Sequence, residues 1–220
     1  IKNISFKLRP GEMVTIVGPS GSGKSTLIKL LTGLYDPTDG DILYSGHQWL
    51  EYEDLKIREQ IGYVSQEISG FRGTVRENIS IYNKHIKLSD VRAASKLAEL
   101  DNIILNLEQG YNTNLSDGGG GLSGGQLQRL EIARAIVQKP KLIFLDEATS
   151  SLDVPTERQV LENLRATGST LVCVAHRLVS AEMSDYVLVL DQGELMEFGS
   201  PKELKTSGGL YADLLKMEER

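Results

Sequence analysis

Residues Gly18 to Thr26 read GPSGSGKST and fit the pattern G-x-x-x-x-G-K-[ST], in which a glycine-rich turn cradles phosphate. Gly18, Gly21 and Gly23 allow positive φ and close backbone approach, so that the turn they make with Pro19, Ser20 and Ser22 aims its amides inward. Lys24 then reaches the β- and γ-phosphates of a nucleotide, and the Ser25 hydroxyl is placed to ligate magnesium. Past Thr26 a helix carries Leu27, Leu30, Leu31 and Leu34 on one face and offers its positive N-terminus to the same anion. Chance yields such a string in on the order of 1% of chains this long.

Leu142 to Glu147 read LIFLDE. An apolar strand ending in Asp146 supplies the second half of a phosphate-loop site, holding magnesium directly or through water. Glu147, one residue on, is placed to polarise an attacking water as general base. Alone, this acidic pair could equally cap the following helix; beside a phosphate loop the metal-and-base reading prevails. Leu122 to Gln126 read LSGGQ, ahead of LQRLEIARAI. Ser123 is an N-capping hydroxyl, and Gly124 and Gly125 admit close contact, so with Gln126 they open a second anion-binding helix N-terminus. The string SGG by itself would mean no more than an ordinary capped helix. A chain holding one nucleotide has no evident need for two phosphate-reading termini.

The elements that must position these residues follow a regular rhythm. Met13 to Val17 leads into Gly18, Ile61 to Ser65 into Gln66, Leu142 to Leu145 into Asp146, and Leu171 to Ala175 into His176. Each apolar run precedes a helical pattern, as in a parallel sheet with crossover helices, whose carboxyl ends gather at one ligand site. The expected fold is α/β with a mainly parallel sheet. Residues 67–140 break the rhythm: helices are expected over Val91 to Leu107 and Ser123 to Gln138, with a glycine-rich loop at Asp117 to Gly121. They read as a helical subdomain inserted into a core made of 1–66 and 141–220. Asp41 to Tyr44, Gly46 and Gln48 to Leu50 read as a small antiparallel β flap, covered by Tyr44, Trp49 and Tyr52. Ile1 to Leu8 reads as a strand and Ser200 to Arg220 as a helical tail.

Composition bounds the rest. The 220 residues are 40% hydrophobic and 25% charged, enough for one core with an inserted lobe. A formal net charge of -6 argues against a nucleic-acid partner, which favours a basic face. The single cysteine, Cys173, permits no internal disulfide and lies in an apolar run, a core position. No apolar run approaches the roughly 20 residues that span a bilayer. His47 and His85 match no pattern and read as surface histidines.

Together, GPSGSGKST, Gln66, LSGGQ, LIFLDE, SSLD (Ser150 to Asp153) and His176 stand in an order and spacing that resembles the ATPase domains of ABC transporters over nearly the whole chain. The resemblance implies ATP and Mg2+ as cofactors and a P-loop, RecA-like core. It implies a head-to-tail pair with a second nucleotide-binding domain, an identical copy, in which LSGGQ of one closes over ATP held by the phosphate loop of the other. It assigns Gln66 to magnesium and to coupling with a membrane domain, His176 to the γ-phosphate, and Asp153 to a loop crossing the pair's interface. Phe71 to Ile79, FRGTVRENI, resembles exporters with fused membrane domains. That implies a transmembrane domain N-terminal to this chain and a place at the cytoplasmic face of a membrane.

In such exporters an acidic residue before LSGGQ touches the intracellular helices, and Asp117 holds that place. Gly118 to Leu122 and Gly168 to Leu178 are most similar to bacterial exporters of bacteriocins and other peptides. Leu127 stands where a basic residue is usual, and the family's adenine-stacking aromatic is expected upstream of Ile1. Two other readings stand beside this one. A DNA-repair or chromosome-maintenance ATPase head would be marked by long coiled-coil insertions. An ATP-binding switch without turnover would be marked by loss of Glu147 or His176.

Overall fold

The computed structural model describes residues 1–48, 59–67, 69–175 and 177–218. In chain order its main elements are β1 (Met13–Val17), α1 (Lys24–Leu31), β2 (Leu43–Tyr44), β3 (His47–Gln48), β4 (Ile61–Val64), β5 (Gly73–Thr74), α2 (Val75–Ser80), α3 (Leu88–Leu97), α4 (Asp101–Leu105), β6 (Asn114–Leu115), α5 (Gly124–Ile136), β7 (Leu142–Asp146), α6 (Val154–Ala166), β8 (Thr170–Val174), α7 (Val179–Met183), β9 (Tyr186–Asp191), β10 (Glu194–Gly199), α8 (Pro201–Ser207) and α9 (Leu210–Glu218).

The main sheet runs β10-β9-β1-β8-β7-β4, parallel throughout except for the antiparallel edge strand β10. Sequence explains that split. β1, β7, β8 and β9 are nearly continuous apolar runs, as strands covered on both faces must be, whereas β10 (ELMEFG) alternates and shows one side to solvent. Successive residues supply opposite faces. Met13, Ile143, Leu145, Leu171 and Cys173 pack with α5, α6 and the helical insert, while Val14, Ile16, Phe144, Val172 and Val174 pack on Leu27 and Ile28 of α1. Cys173 is a free thiol, buried as its apolar setting requires.

The inserted segment between β4 and β7 is helical, with α2 and α3 packed on α5. Side-chain caps start its key helices. Thr74 and Glu77 close a capping box at α2, and Ser123 and Gln126 close another at α5.

Several expectations need correction. The helix expected over Val91 to Leu107 is two helices, α3 and α4. Glu99 takes a left-handed φ of 54°, Glu99 N–H donates to Lys96 O and Leu100 N–H donates to Ser95 O, a Schellman stop that turns Leu100 and Ile104 into the core. The same device ends α1: with Gly33 at φ 69°, Leu34 N–H donates to Lys29 O. Leu34 therefore lies beyond the helix and 61% exposed, not on its buried face. Ile1 to Leu8 forms no strand; an isolated bridge joins Lys2 to Glu194, and Asn3 at φ 53° breaks the extension. The tail is two helices divided at Gly208, φ 72°. The flap pairs β2 with β3, and the Tyr44 hydroxyl donates to Leu31 O at the end of α1. Leu50, Trp49 and Tyr52 lie outside the described residues.

Leu130 of α5 is fully buried between the insert and the sheet-side core. Leu130→Ala is expected to destabilise the chain by about 2–5 kcal/mol, read as a lower urea midpoint.

Candidate active site

Register sets the site. Ile16 pairs Val174 and Val174 pairs Asp146, while Val64 pairs Leu145, so four strands end at one level. At that level the chain places Gly18, Ser65–Gln66, Asp146–Glu147 and Ala175, the residues after or at the last apolar positions. His176, the next residue, lies outside the described residues.

The phosphate loop is shaped by backbone conformations that a side chain resists. Gly21 sits at φ 79° and Gly23, the N-cap of α1, at φ 102°. At Gly18 a Cβ would come within 2.1 Å of the Leu190 carbonyl oxygen, so the loop is seated directly on the end of β9. Ser22 N–H donates to Pro19 O and Ser22 O accepts from Gly193 N–H, which closes the turn; Ser22 Oγ is buried with no hydrogen-bond partner in the structure. Ser20 is exposed beside Pro19, and Ser25 and Thr26 are exposed in the first turn of α1. Lys24 is buried, with its ammonium donating to Gly18 O at 2.8 Å and Pro19 O at 2.9 Å. Desolvation lowers its pKa, against the attraction of Glu147 and Asp146.

The two carboxylates are differently held. Asp146 is 4% exposed; burial raises its pKa first, the neighbouring Glu147 charge second, and the hydrogen-bonding Tyr63 hydroxyl, Lys29 and Lys24 oppose. Its Oδ1 is buried without a hydrogen-bond partner. Such an acceptor fits a cation or a cation-bound water. With Ser25 and Gln66 it would complete a magnesium site of the kind that takes one carboxylate and relies on phosphate oxygens. Among the described residues no group of three or more His, Cys, Asp or Glu is placed to hold a metal ion by itself.

Glu147 is 9% exposed and has φ 54°, a left-handed backbone that costs a non-glycine residue about 1–2 kcal/mol. Its N–H donates to Val174 O, and one carboxylate oxygen accepts from Gln66 Nε2 at 2.6 Å. The structure thus brings Lys24, Gln66, Asp146 and Glu147 into one electrostatic cluster.

The remaining predicted residues are placed locally. Ser123 Oγ accepts from Gln126 N–H, and Gln126 Oε1 accepts from Ser123 N–H, so the Gln126 side chain serves the cap. Gly125 packs against the next turn, where a Cβ would meet Ser151 O at 3.0 Å, whereas a Cβ on Gly124 would meet nothing within 4 Å. Asp153 N-caps α6, accepting from Thr156 N–H and the Thr156 hydroxyl, which lower its pKa. Leu127 packs onto Gly119 of the glycine-rich loop, and Gly118 N–H donates to Gly70 O in the segment after Gln66. Asp117 is exposed in that loop.

Three residues of the site escape sequence reading. Tyr63 sits beside Asp146, and burial first and that carboxylate second push the phenol's pKa up. Glu131 accepts from Ser69 N–H at 2.7 Å, three residues past Gln66. Gln128, 1% exposed, donates to Glu147 O and accepts from Ser151 N–H. Gln128 and Glu131 share one helix face at i, i+3, yet no single-sequence signal marks either polar side chain as buried.

The ABC transporter family profile matches residues 1–150. An ATP-dependent lipid A-core flippase of Cupriavidus pinatubonensis is 43% identical over 99% of this chain, which spans 38% of the flippase's length. The cyclolysin secretion/processing ATP-binding protein CyaB of Bordetella pertussis and the leukotoxin translocation ATP-binding protein LktB of Mannheimia haemolytica are each 40% identical over 99% of this chain, which spans 31% of their lengths. A solved bacterial Atm1-family ABC exporter with ATP bound superposes with a TM-score of 0.92 at 40% identity, covering 99% of this chain and 38% of that one.

Asp146→Asn tests the electrostatics. A carboxyl whose folded pKa is raised is most favourable to folding below its unfolded pKa, and loses that contribution as pH rises through the folded value. Without nucleotide, Asp146→Asn is therefore expected to melt above wild type, with the gap widening as pH rises from about 4 towards neutrality. It should also lose the extra thermal protection that magnesium adds to ATP. Differential scanning fluorimetry across pH, with and without magnesium and ATP, checks both.

Proposed function

The chain belongs to the ABC transporter family, and from that premise we propose that it binds and hydrolyses ATP with magnesium as one half of a nucleotide-sandwiching pair. The observation that carries the reading is the cluster of buried Lys24 with Asp146 and Glu147 at the carboxyl ends of parallel strands, beside a loop whose glycines sit at positive φ.

In this reading the amides of Gly18 to Thr26 cradle the triphosphate. Lys24, leaving its loop carbonyls, neutralises the β- and γ-phosphates. Asp146, Ser25 and Gln66 hold the magnesium ion, which supplies charge neutralisation at the phosphates. Glu147 takes a proton from the attacking water, with Gln66 Nε2 orienting its carboxylate, and His176 meets the γ-phosphate. Ser123, Gly124, Gly125 and Gln126 read the nucleotide of a second, identical copy. The support is that Ser123 and Gly124 are exposed at a helix N-terminus and that the chain's own packing does not demand a glycine at Gly124. Asp153 lies at that shared surface.

The division into a core of 1–66 and 141–220 and a helical subdomain of 67–140 belongs to the same proposal. So does a transmembrane domain fused N-terminally in the full-length protein, which would set this chain at the cytoplasmic face of a membrane and make its turnover the drive for export. Among the described residues no helix is long and apolar enough to cross a membrane. A peptide is the cargo we propose from the strings Gly118 to Leu122 and Gly168 to Leu178; relatives named for lipid A-core and for cyclolysin and leukotoxin are 43% and 40% identical, so this domain reads the motor more sharply than the freight.

Phosphate release from ATP measures the activity. Lys24→Ala is expected to abolish it, and Glu147→Gln to lower it about 100- to 10,000-fold. Glu147→Gln should elute with ATP and magnesium as a dimer by light scattering, and adding Ser123→Arg should return it to a monomer. Full-rate hydrolysis by Glu147→Gln would refute the assignment of the base, and a monomer in ATP would refute the sandwich.

A further inference from the structure

Helix α5 grips the turn that carries the proposed base. Gln128, one and a half turns past Ser123, is 1% exposed, and both ends of its amide are used on residues 147–151. Nε2 donates to Glu147 O at 3.3 Å and reaches Ser150 Oγ at 3.5 Å, while Oε1 accepts from Ser151 N–H at 2.9 Å. The turn itself is tight, with Ser150 N–H on Glu147 O and Leu152 N–H on Thr149 O. Gly125, one helical turn before, abuts the Ser151 carbonyl. Glu147 holds φ 54° in this grip, a conformation that surrounding contacts must over-determine to persist. A buried amide left unpaired gives up its hydration with nothing in exchange, so Gln128 favours the one turn geometry that satisfies both its ends.

We propose that Gln128 is a positioning residue for Glu147, fixing the strained backbone from which the carboxylate reaches the attacking water. The inference rests on the reading of Glu147 as base. It places the hold on that base in the same helix whose first turn bears Ser123.

A double-mutant cycle in the 220-residue chain tests it, with steady-state ATP hydrolysis as the readout. Gln128→Met removes both hydrogen bonds at similar volume; Gln128→Glu keeps the acceptor for Ser151 N–H and loses the donor to Glu147 O. Each is expected to lower kcat about 10- to 100-fold, the usual effect of removing a supporting hydrogen bond. KM for ATP should stay within about threefold, because the phosphate loop is untouched, and both variants should melt below wild type yet stay folded at the assay temperature, because only one pair of buried hydrogen bonds is lost. In the Glu147→Gln background, where no base remains to position, Gln128→Met should cost less than about threefold more. Equal losses in both backgrounds, no loss in either, or collapse of the fold in both Gln128 variants would overturn positioning. Wild-type rates from Glu147→Gln alone would instead sink the assignment of the base, and this inference with it.

Discussion

Asp146 and Glu147 are consecutive carboxylates at the end of a strand with almost no access to water, and the site is organised around that unfavourable burial. Two anions side by side in a poor dielectric disfavour one another, and Lys24 alone does not relieve both. The molecule answers with one partner from each neighbouring element. Tyr63 of β4 meets Asp146, Gln66 beyond β4 meets Glu147, and Lys24 from the helix after β1 supplies the positive charge. None of these side chains would arrive without the parallel register that ends four strands at one level. Asp146 Oδ1 is left without a hydrogen bond, and it is the group a divalent ion would satisfy.

A second chain of contacts joins this cluster to the inserted helices. Along α5, Gln128 bonds the turn after β7, Glu131 bonds Ser69 after Gln66, and Arg134 donates to Ser69 O and Asn78 O while its guanidinium lies over the Phe71 ring. Glu131 and Arg134 are themselves largely buried, so burial raises the pKa of one and lowers that of the other. Polar groups buried this deeply favour a single arrangement, because any slippage leaves several of them unpaired at once. The insert is thus keyed to the loops on either side of the site rather than resting on them.

Much of this was legible in the chain because the signals are local. A phosphate loop advertises itself through glycines that only one backbone shape requires, and buried parallel strands through unbroken apolar runs. What escaped depends on distant partners. Glu99 stops a helix in a conformation that sequence reading reserves for glycine, and does so because Leu100 gains a place in the core. Leu34 continues a heptad-like apolar spacing past a Schellman stop that Gly33 alone hinted at. Gln128 and Glu131 look like ordinary solvent-facing helix residues until the sheet and the loop are packed against them.

The sole thiol of the chain has a practical corollary. Cys173 points into the sheet core, and burial pushes its pKa up to about 12, so it stays protonated and shielded from electrophiles at neutral pH. A cysteine introduced on the surface, at the exposed tip of the glycine-rich loop for example, would then be the one reactive sulfur in the molecule. Maleimide dyes or spin labels could be attached there without first removing the native residue, and distances between two labelled copies could be followed in otherwise unaltered protein.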